Sequence, residues 1–225
     1  MNALPREDSS RTQRPSDASV NPNSTKAHTM TQKIPLKFIL PSVCALALLV
    51  LTGSNASAAE ISGVKLPDQV TVAGKNLKVN GAGLRQATIL KVNVYAAGLY
   101  LEKPSGDGEA IANSDQAKGI EMVFMRDVTA KQMSEAFGEG FEKNCVAGCA
   151  ELKGDLSKLQ GLVKDMKKGD SMSFHFSSGG VDVMIRGQKV GSVGDKAFSH
   201  QLIRCWIGKN PPNTGLKEGL LGGKK

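Results

Sequence analysis

The chain has 225 residues, of which 22% are charged and only 4% aromatic, and it carries a net charge of +8 at neutral pH. Scattered lysines among so few aromatics exclude the interleaved basic and aromatic surface that holds nucleic acid. The two histidines beyond residue 58, His175 and His200, have no second ligand close in sequence, which argues against a zinc site.

Residues 1–29 hold Pro, Ser, Asn, Asp and Arg and almost nothing apolar. They bury too little surface to offset chain entropy and are expected to be disordered, or to be an over-extended start, with translation beginning at Met30. Residues 30–58 read as a signal peptide: Lys33 and Lys37 ahead of an apolar run over residues 38–51, then Ala56-Ser57-Ala58. The run is shorter than the roughly 20 residues a membrane span needs. Cys44 lies inside it, which argues against a lipoprotein. Cleavage near Ala58 would make the protein exported and periplasmic, touching a membrane only through the signal peptide. The remainder, 59–225, is one domain. Residues 1–58 contain 6 of the 29 basic and 3 of the 21 acidic residues, leaving 23 against 18 and a mild net +5.

Residues 70–79 read as a hairpin around Ala73-Gly74-Lys75-Asn76, and Asn80-Gly81 with Gly83 as a turn. Residues 87–101 alternate as a half-buried strand, Leu90, Val92 and Val94 against Lys91 and Asn93, with a bulge or bend at Gly98. A loop follows at residues 104–107. The apolar run 120–125 suits a central strand. Thr129 and Gln132 form a capping box that opens a long helix with a stripe of Met133, Phe137, Phe141 and Cys145. A second helix is expected over residues 156–166. Residues 171–177 alternate as a strand, with Met172, Phe174 and Phe176 on one face and Ser173 and His175 on the other. Gly179-Gly180 turns the chain into a partner strand bearing Val181, Val183 and Ile185, and Val190 follows a further turn at Gly187. Asp195 caps a helix carrying Phe198, Leu202, Cys205 and Trp206, which Gly208 and Pro211 stop. A short last helix carries Leu216, Leu220 and Leu221. This order predicts an α+β domain with an antiparallel sheet.

Three cysteines lie beyond residue 58: Cys145, Cys149 and Cys205. An odd number leaves at least one thiol unpaired within the chain. Cys145 and Cys149, four apart on an expected helix, are read as buried apolar packing rather than a disulfide. Gly81-Ala82-Gly83 lacks the further glycine and lysine of a phosphate loop, and no nucleophile elbow is present.

One set of segments goes further. Asn80-Gly81-Ala82-Gly83-Leu84-Arg85, Val94-Tyr95-Ala96-Ala97-Gly98-Leu99-Tyr100-Leu101, Arg126-Asp127, Glu142-Lys143-Asn144-Cys145 and Trp206-Ile207-Gly208 follow one another in an order that resembles the chalcone isomerase family. The resemblance spans most of residues 65–221 and is nearest to a bacterial exported branch. It implies an open-faced β-sandwich, a large antiparallel sheet covered by a layer of helices, with no cofactor and no metal. Catalytic members cyclise a chalcone to a flavanone, and a guanidinium stabilises the phenolate and enolate charge. Arg85 falls on that arginine and Asn144 on a site asparagine. Tyr95, Phe124, Met133 (or Phe137 in a shifted register) and Cys205 stand where the catalytic pattern has threonine, lysine, tyrosine and a hydroxyl residue.

A fatty-acid-binding, non-catalytic branch of the same family pairs an arginine with a tyrosine at the positions of Arg85 and Tyr95. A guanidinium and a phenol can both donate to one carboxylate. Phe124, Met133 and Phe137 would line an apolar channel. Three functions are therefore expected to compete: binding of a small amphipathic carboxylate, a cofactor-free isomerase using Arg85, and a structural or partner-binding domain without a pocket. Arg85 and Tyr95 can meet only if the chain turns back near residues 89–91, because ten residues of straight strand span about 33 Å.

Overall fold

The computed structural model describes residues 59–87 and 90–223. The disordered or mis-started segment and the signal peptide expected over residues 1–58 lie outside them. Among the described residues, no helix is long and apolar enough to cross a membrane.

Strands β1 (Ala59–Ile61) and β2 (Val64–Leu66) form a small hairpin. Seven further strands make one antiparallel sheet in simple sequence order: β3 (Gln69–Val72), β4 (Lys75–Ala87), β5 (Val92–Leu101), β6 (Lys118–Phe124), β7 (Ser171–Ser177), β8 (Gly180–Ile185) and β9 (Gln188–Val193). Among the described residues, six helices interrupt or follow the meander. They are α1 (Gly108–Asn113), α2 (Ala130–Asn144), α3 (Lys153–Leu162), α4 (Lys196–Leu202), α5 (Arg204–Ile207) and α6 (Thr214–Leu220). The fold is the expected open-faced α+β arrangement: one large antiparallel sheet with helices against it.

Period-two alternation explains the layering. Leu99, Ile120, Phe174 and Val183 are register partners across β5 to β8, and Ala97, Met122, Met172 and Ile185 form the next row. All eight join the main core with Phe137 and Phe141 of α2, Trp206 of α5 and Leu216 of α6. Trp206 sits among Phe137, Phe174 and Phe176, at ring separations of 5.8, 5.1 and 6.5 Å. The opposite face is polar around Glu121, Ser173 and His175, with a small apolar cluster of Val72, Leu77, Tyr100 and Ala117.

Several local expectations need correction. Gly81 and Gly83 do not form a turn; they lie inside β4, where the backbone of α6 is pressed onto the strand. A Cβ at Gly81 would lie 2.1 Å from the Gly219 carbonyl oxygen, and one at Gly83 2.5 Å from that of Leu216. The glycines serve close approach, not turning. Gly98 pairs regularly with Ala82 and Glu121, and the Tyr100 ring covers it where a side chain would stand. The irregularities fall elsewhere: an extra residue, Asn80, on β4 beside Gly81, and an extra residue, Val94, on β5 where the partners pass from Arg85 to Gln86. Leu90 belongs to the β4–β5 turn, and β5 begins only at Val92.

The helical region differs in three places. The capping box holds, with the Thr129 hydroxyl accepting from the Gln132 amide and the Gln132 side chain accepting from the Thr129 amide. Helix α2 nevertheless ends at Asn144, so Cys145 is extended, and a tight bend brings Cys149 back to it as a disulfide. Cys205 is the free, buried thiol among the described residues. Helix α3 stops at Leu162, and Met166 pairs backbone to backbone with Val128. The helix expected after Asp195 is broken at Ile203 into α4 and α5.

Close approach at Gly81 carries a stability prediction. Gly81→Ala must push α6 off the strand and is expected to lower the unfolding free energy by about 2 kcal/mol, in the range of overpacking. Gly161→Ala, in α3 with open space around it, is expected to be neutral or to stabilise by up to about 1 kcal/mol. Denaturant unfolding of the two variants checks both signs.

Candidate functional site

Strands β4 and β5 turn back on each other, and Arg85 stands directly opposite Tyr95. Tyr95 in turn stands opposite Phe124 of β6. The three residues are therefore abreast on adjacent strands, and the chain reversal demanded by the sequence argument is present. Above them, α2 contributes Met133 and Phe137 from its buried stripe, and α5 contributes Cys205 and Trp206. These groups enclose a cleft of about 390 Å³. Its rim is made by Arg126, Asp127, Gln132, Lys143 and the Asn210-Pro211-Pro212 loop.

Six of the seven residues named from the sequence line this one cleft: Arg85, Tyr95, Phe124, Met133, Phe137 and Cys205. Asn144 does not. Its buried amide donates to the Gly140 and Asn210 carbonyls, both at 2.9 Å, and accepts from the Asn210 amide at 2.7 Å. It thereby fastens the end of α2 to the loop after α5 and holds the rim in place. Asn213 plays the matching part on the other side, accepting from the Gln86 amide at 3.0 Å and donating to the Leu84 carbonyl at 3.0 Å. Trp206 and Arg126 are lining residues that sequence reasoning did not select. Both sit in segments that carried the family resemblance, but neither spacing nor periodicity marked them as wall.

The head of the cleft is a pair of hydrogen-bond donors in an apolar setting. The Arg85 guanidinium Nη1 donates to the Gln86 carbonyl, which steadies the group beside Tyr95. Burial pushes the Tyr95 hydroxyl up to about 12, against a partial offset from the Arg85 charge and the Trp206 indole. At neutral pH the phenol is thus a neutral donor, and the guanidinium a charged one. The Tyr95 ring meets Phe124 edge-on at 5.8 Å. Burial also pushes the Cys205 thiol up to about 12, so it lines the wall as an apolar group and not as a nucleophile. The rim carboxylates are engaged elsewhere: Asp127 bonds Lys167 Nζ at 2.8 Å, which holds its carboxyl below the ordinary range, and Glu139 bonds Lys143 at 3.1 Å. The arrangement can receive an anion at Arg85 and Tyr95 with an apolar body beyond it.

A seven-stranded antiparallel sheet with helices against it defines an open-faced α+β sandwich, and its helix-roofed cleft, headed by a guanidinium and a phenol, has the size of a small-molecule site. The family model described as chalcone isomerase-like matches residues 58–222, and the chain belongs to that family. Among solved structures, the fold is similar to that of a fatty-acid binding protein from Arabidopsis thaliana. The TM-score is 0.59 at 17% identity, covering 73% of this chain and 94% of that one. No curated protein matches the chain in sequence.

The tyrosines give a pH test. The protein has two, and burial raises both, Tyr95 to about 12 and Tyr100 further. Each native phenol holds its proton more tightly than the unfolded chain does, so the associated stability is complete below pH 10 and declines as pH rises from 10 toward 12. Ultraviolet titration should show little phenolate in the native protein at the start of that window. Phenolate should appear together with loss of structure; two freely titrating tyrosines near pH 10 would contradict this.

Proposed function

We propose that this domain is exported and binds a small amphipathic carboxylate, of fatty-acid type, without catalysing a reaction on it. The observation that carries the reading is the direct pairing of Arg85 with Tyr95 at the head of an apolar cleft. A carboxylate there would take one charge-assisted bond from the guanidinium and one from the neutral phenol. Its chain would lie against Phe124, Met133, Phe137 and Trp206. The volume falls within the roughly 300–1,000 Å³ usual for small-molecule sites. The likeness to a structure described as a fatty-acid binding protein points the same way. Apolar Phe124 and Met133, and a thiol held neutral at Cys205, leave little proton-transfer chemistry on the walls, which favours binding over isomerisation. The cleft beside Arg85 speaks against a collapsed pocket. The Cys145–Cys149 disulfide is in keeping with an oxidising compartment, as export would provide.

Calorimetric titration with a saturated fatty acid and with the alcohol of equal chain length tests the proposal. Arg85→Ala is expected to weaken the acid by about 10- to 100-fold, the range of a lost hydrogen bond to a charged group, and to leave the alcohol nearly unchanged. Tyr95→Phe should weaken the acid several-fold. Equal effects on acid and alcohol would remove Arg85 from the head of the site. Turnover of a chalcone above its rate in solution would overturn the non-catalytic part.

A further inference from the structure

Large exposed apolar side chains are few among the described residues, and two of them lie two residues apart at the β4–β5 connection: Leu90 in the turn at 84% exposure and Val92 at the start of β5 at 39%. This turn ends the same two strands that carry Arg85 and Tyr95. Ala87, which pairs with Val92, lines the cleft, as does Val94. Leu90 lies five residues before Tyr95, at most about 17 Å along the chain. An apolar tip therefore projects from the edge of the cleft, where no packing in this domain accounts for it.

The rim acids Asp127 and Glu139 are paired with Lys167 and Lys143, whereas two cations near the tip, Lys91 and Arg126, have no ionic partner among the described residues. Lys91 is exposed between Leu90 and Val92, with a backbone φ of 51° that forms part of the turn. Arg126 is exposed on the cleft rim, next to the point where the Met125 amide donates to the Val94 carbonyl. It makes no ion pair or side-chain hydrogen bond among the described residues. The adjoining acid, Asp127, is occupied by the Lys167 ammonium and the Lys168 amide.

We propose that the Leu90–Val92 tip and the Arg126 rim form a docking surface for an anionic lipid bilayer. Leu90 would enter the boundary between headgroups and acyl chains, while Lys91 and Arg126 meet the anionic headgroups. Two apolar side chains flanked by cations suit a bilayer better than a protein partner, since a stable protein interface buries about 800 Å² on each side. The net charge of +5 beyond residue 58 favours the same encounter. The contact is reversible, because so small an apolar tip anchors weakly and its electrostatic part is screened by salt. Its purpose rests on the amphiphile reading: a carboxylate dissolved in a bilayer could pass to Arg85 and Tyr95 without crossing water. The contact itself does not depend on that reading.

Flotation with vesicles of phosphatidylcholine alone, and of phosphatidylcholine with about one third phosphatidylglycerol, tests the surface. The protein is purified from the cells that make it, and every variant keeps the same N-terminus, so that residues 38–51, where retained, contribute equally. Wild type should partition onto the anionic vesicles more strongly than onto the neutral ones, and high salt should weaken it. Leu90→Glu is expected to reduce that partitioning on the order of tenfold, given the worth of burying a leucine side chain. Lys91→Glu should reduce it several-fold. Lys103→Glu makes the same charge change beyond the far end of β5 and should have much less effect. Leu90→Glu should leave the thermal midpoint and the affinity for monomeric fatty acid in solution unchanged, which separates failure of this surface from failure of the ligand site. Equal partitioning of wild type and Leu90→Glu, or equal losses with Leu90→Glu and Lys103→Glu, would overturn the proposal.

Discussion

The register between β4 and β5 is the constraint on which the rest of the site depends. Side chains alternate across a sheet, so a slip of one residue would carry Arg85 to the outer face and leave Tyr95 facing nothing polar. A long hairpin does not secure its own register, and here three external contacts do so. The backbone of α6 rests on Gly81 and Gly83, where no other residue leaves room. Asn213 bonds the strand on both sides of Arg85, at the Leu84 carbonyl and the Gln86 amide. The Met125 amide, just past β6, bonds the Val94 carbonyl next to Tyr95. The irregularity after Arg85 is thus pinned by the C-terminal segment, and the last helix of the chain serves the first half of the site.

Two buried cations depend on the segment around α1. Lys118 occupies a core row between Leu101 and Phe176, and only 1% of its surface is exposed. It is tolerated because the Ser114 and Gln116 carbonyls accept from its ammonium, and burial still pushes it down to about 8. Arg204, equally buried, donates to the Glu109 carboxylate at 2.8 Å and to the Asn113 side chain at 2.9 Å. Both anchors end on or just after α1, a helix of six residues. Its contribution is to offer acceptors where charged groups would otherwise be stranded. Because Arg204 immediately precedes Cys205 and Trp206, this bonding fixes the two side chains that α5 lends to the cleft.

What the sequence disclosed follows from the range of the interactions involved. The strand periods of β6, β7 and β8, the capping box at Thr129 and the cap at Asp195 rest on neighbours within a few residues, and each is where local reasoning placed it. From neighbours alone, Gly81, Gly83 and Gly98 suit a turn or bulge, because those are the local uses of glycine. Their actual partners, α6 and the Tyr100 ring, are invisible to any short window. The same holds for the disulfide: periodicity carried the helix through Cys145, whereas the Asn144 amide, tied to Asn210, accompanies an end one residue earlier. Family likeness, not spacing, brought Arg85, Tyr95, Phe124, Met133, Phe137 and Cys205 into one cleft. It also marked Asn144, which the structure uses to secure the rim.

The apolar walls change the meaning of the cation at their head. In the chemistry associated with the family, a guanidinium earns its place by stabilising charge that develops during reaction, and that requires partners able to move protons. Here the phenol beside Arg85 keeps its proton far above neutrality, and so does the thiol across the cleft. Neither can act as a base at neutral pH. Among the described residues, the guanidinium has one backbone carbonyl as its partner, which leaves most of its donors for something else. A half-buried group of that kind would gain partners from an anionic ligand seated in the cleft. Such a ligand would also stabilise the native state by mass action, about 2.7 kcal/mol at a hundredfold excess over its dissociation constant. Occupancy and stability would then be coupled through one residue. The β4–β5 register, which sets Arg85 at the head of the cleft, is what would make that coupling possible.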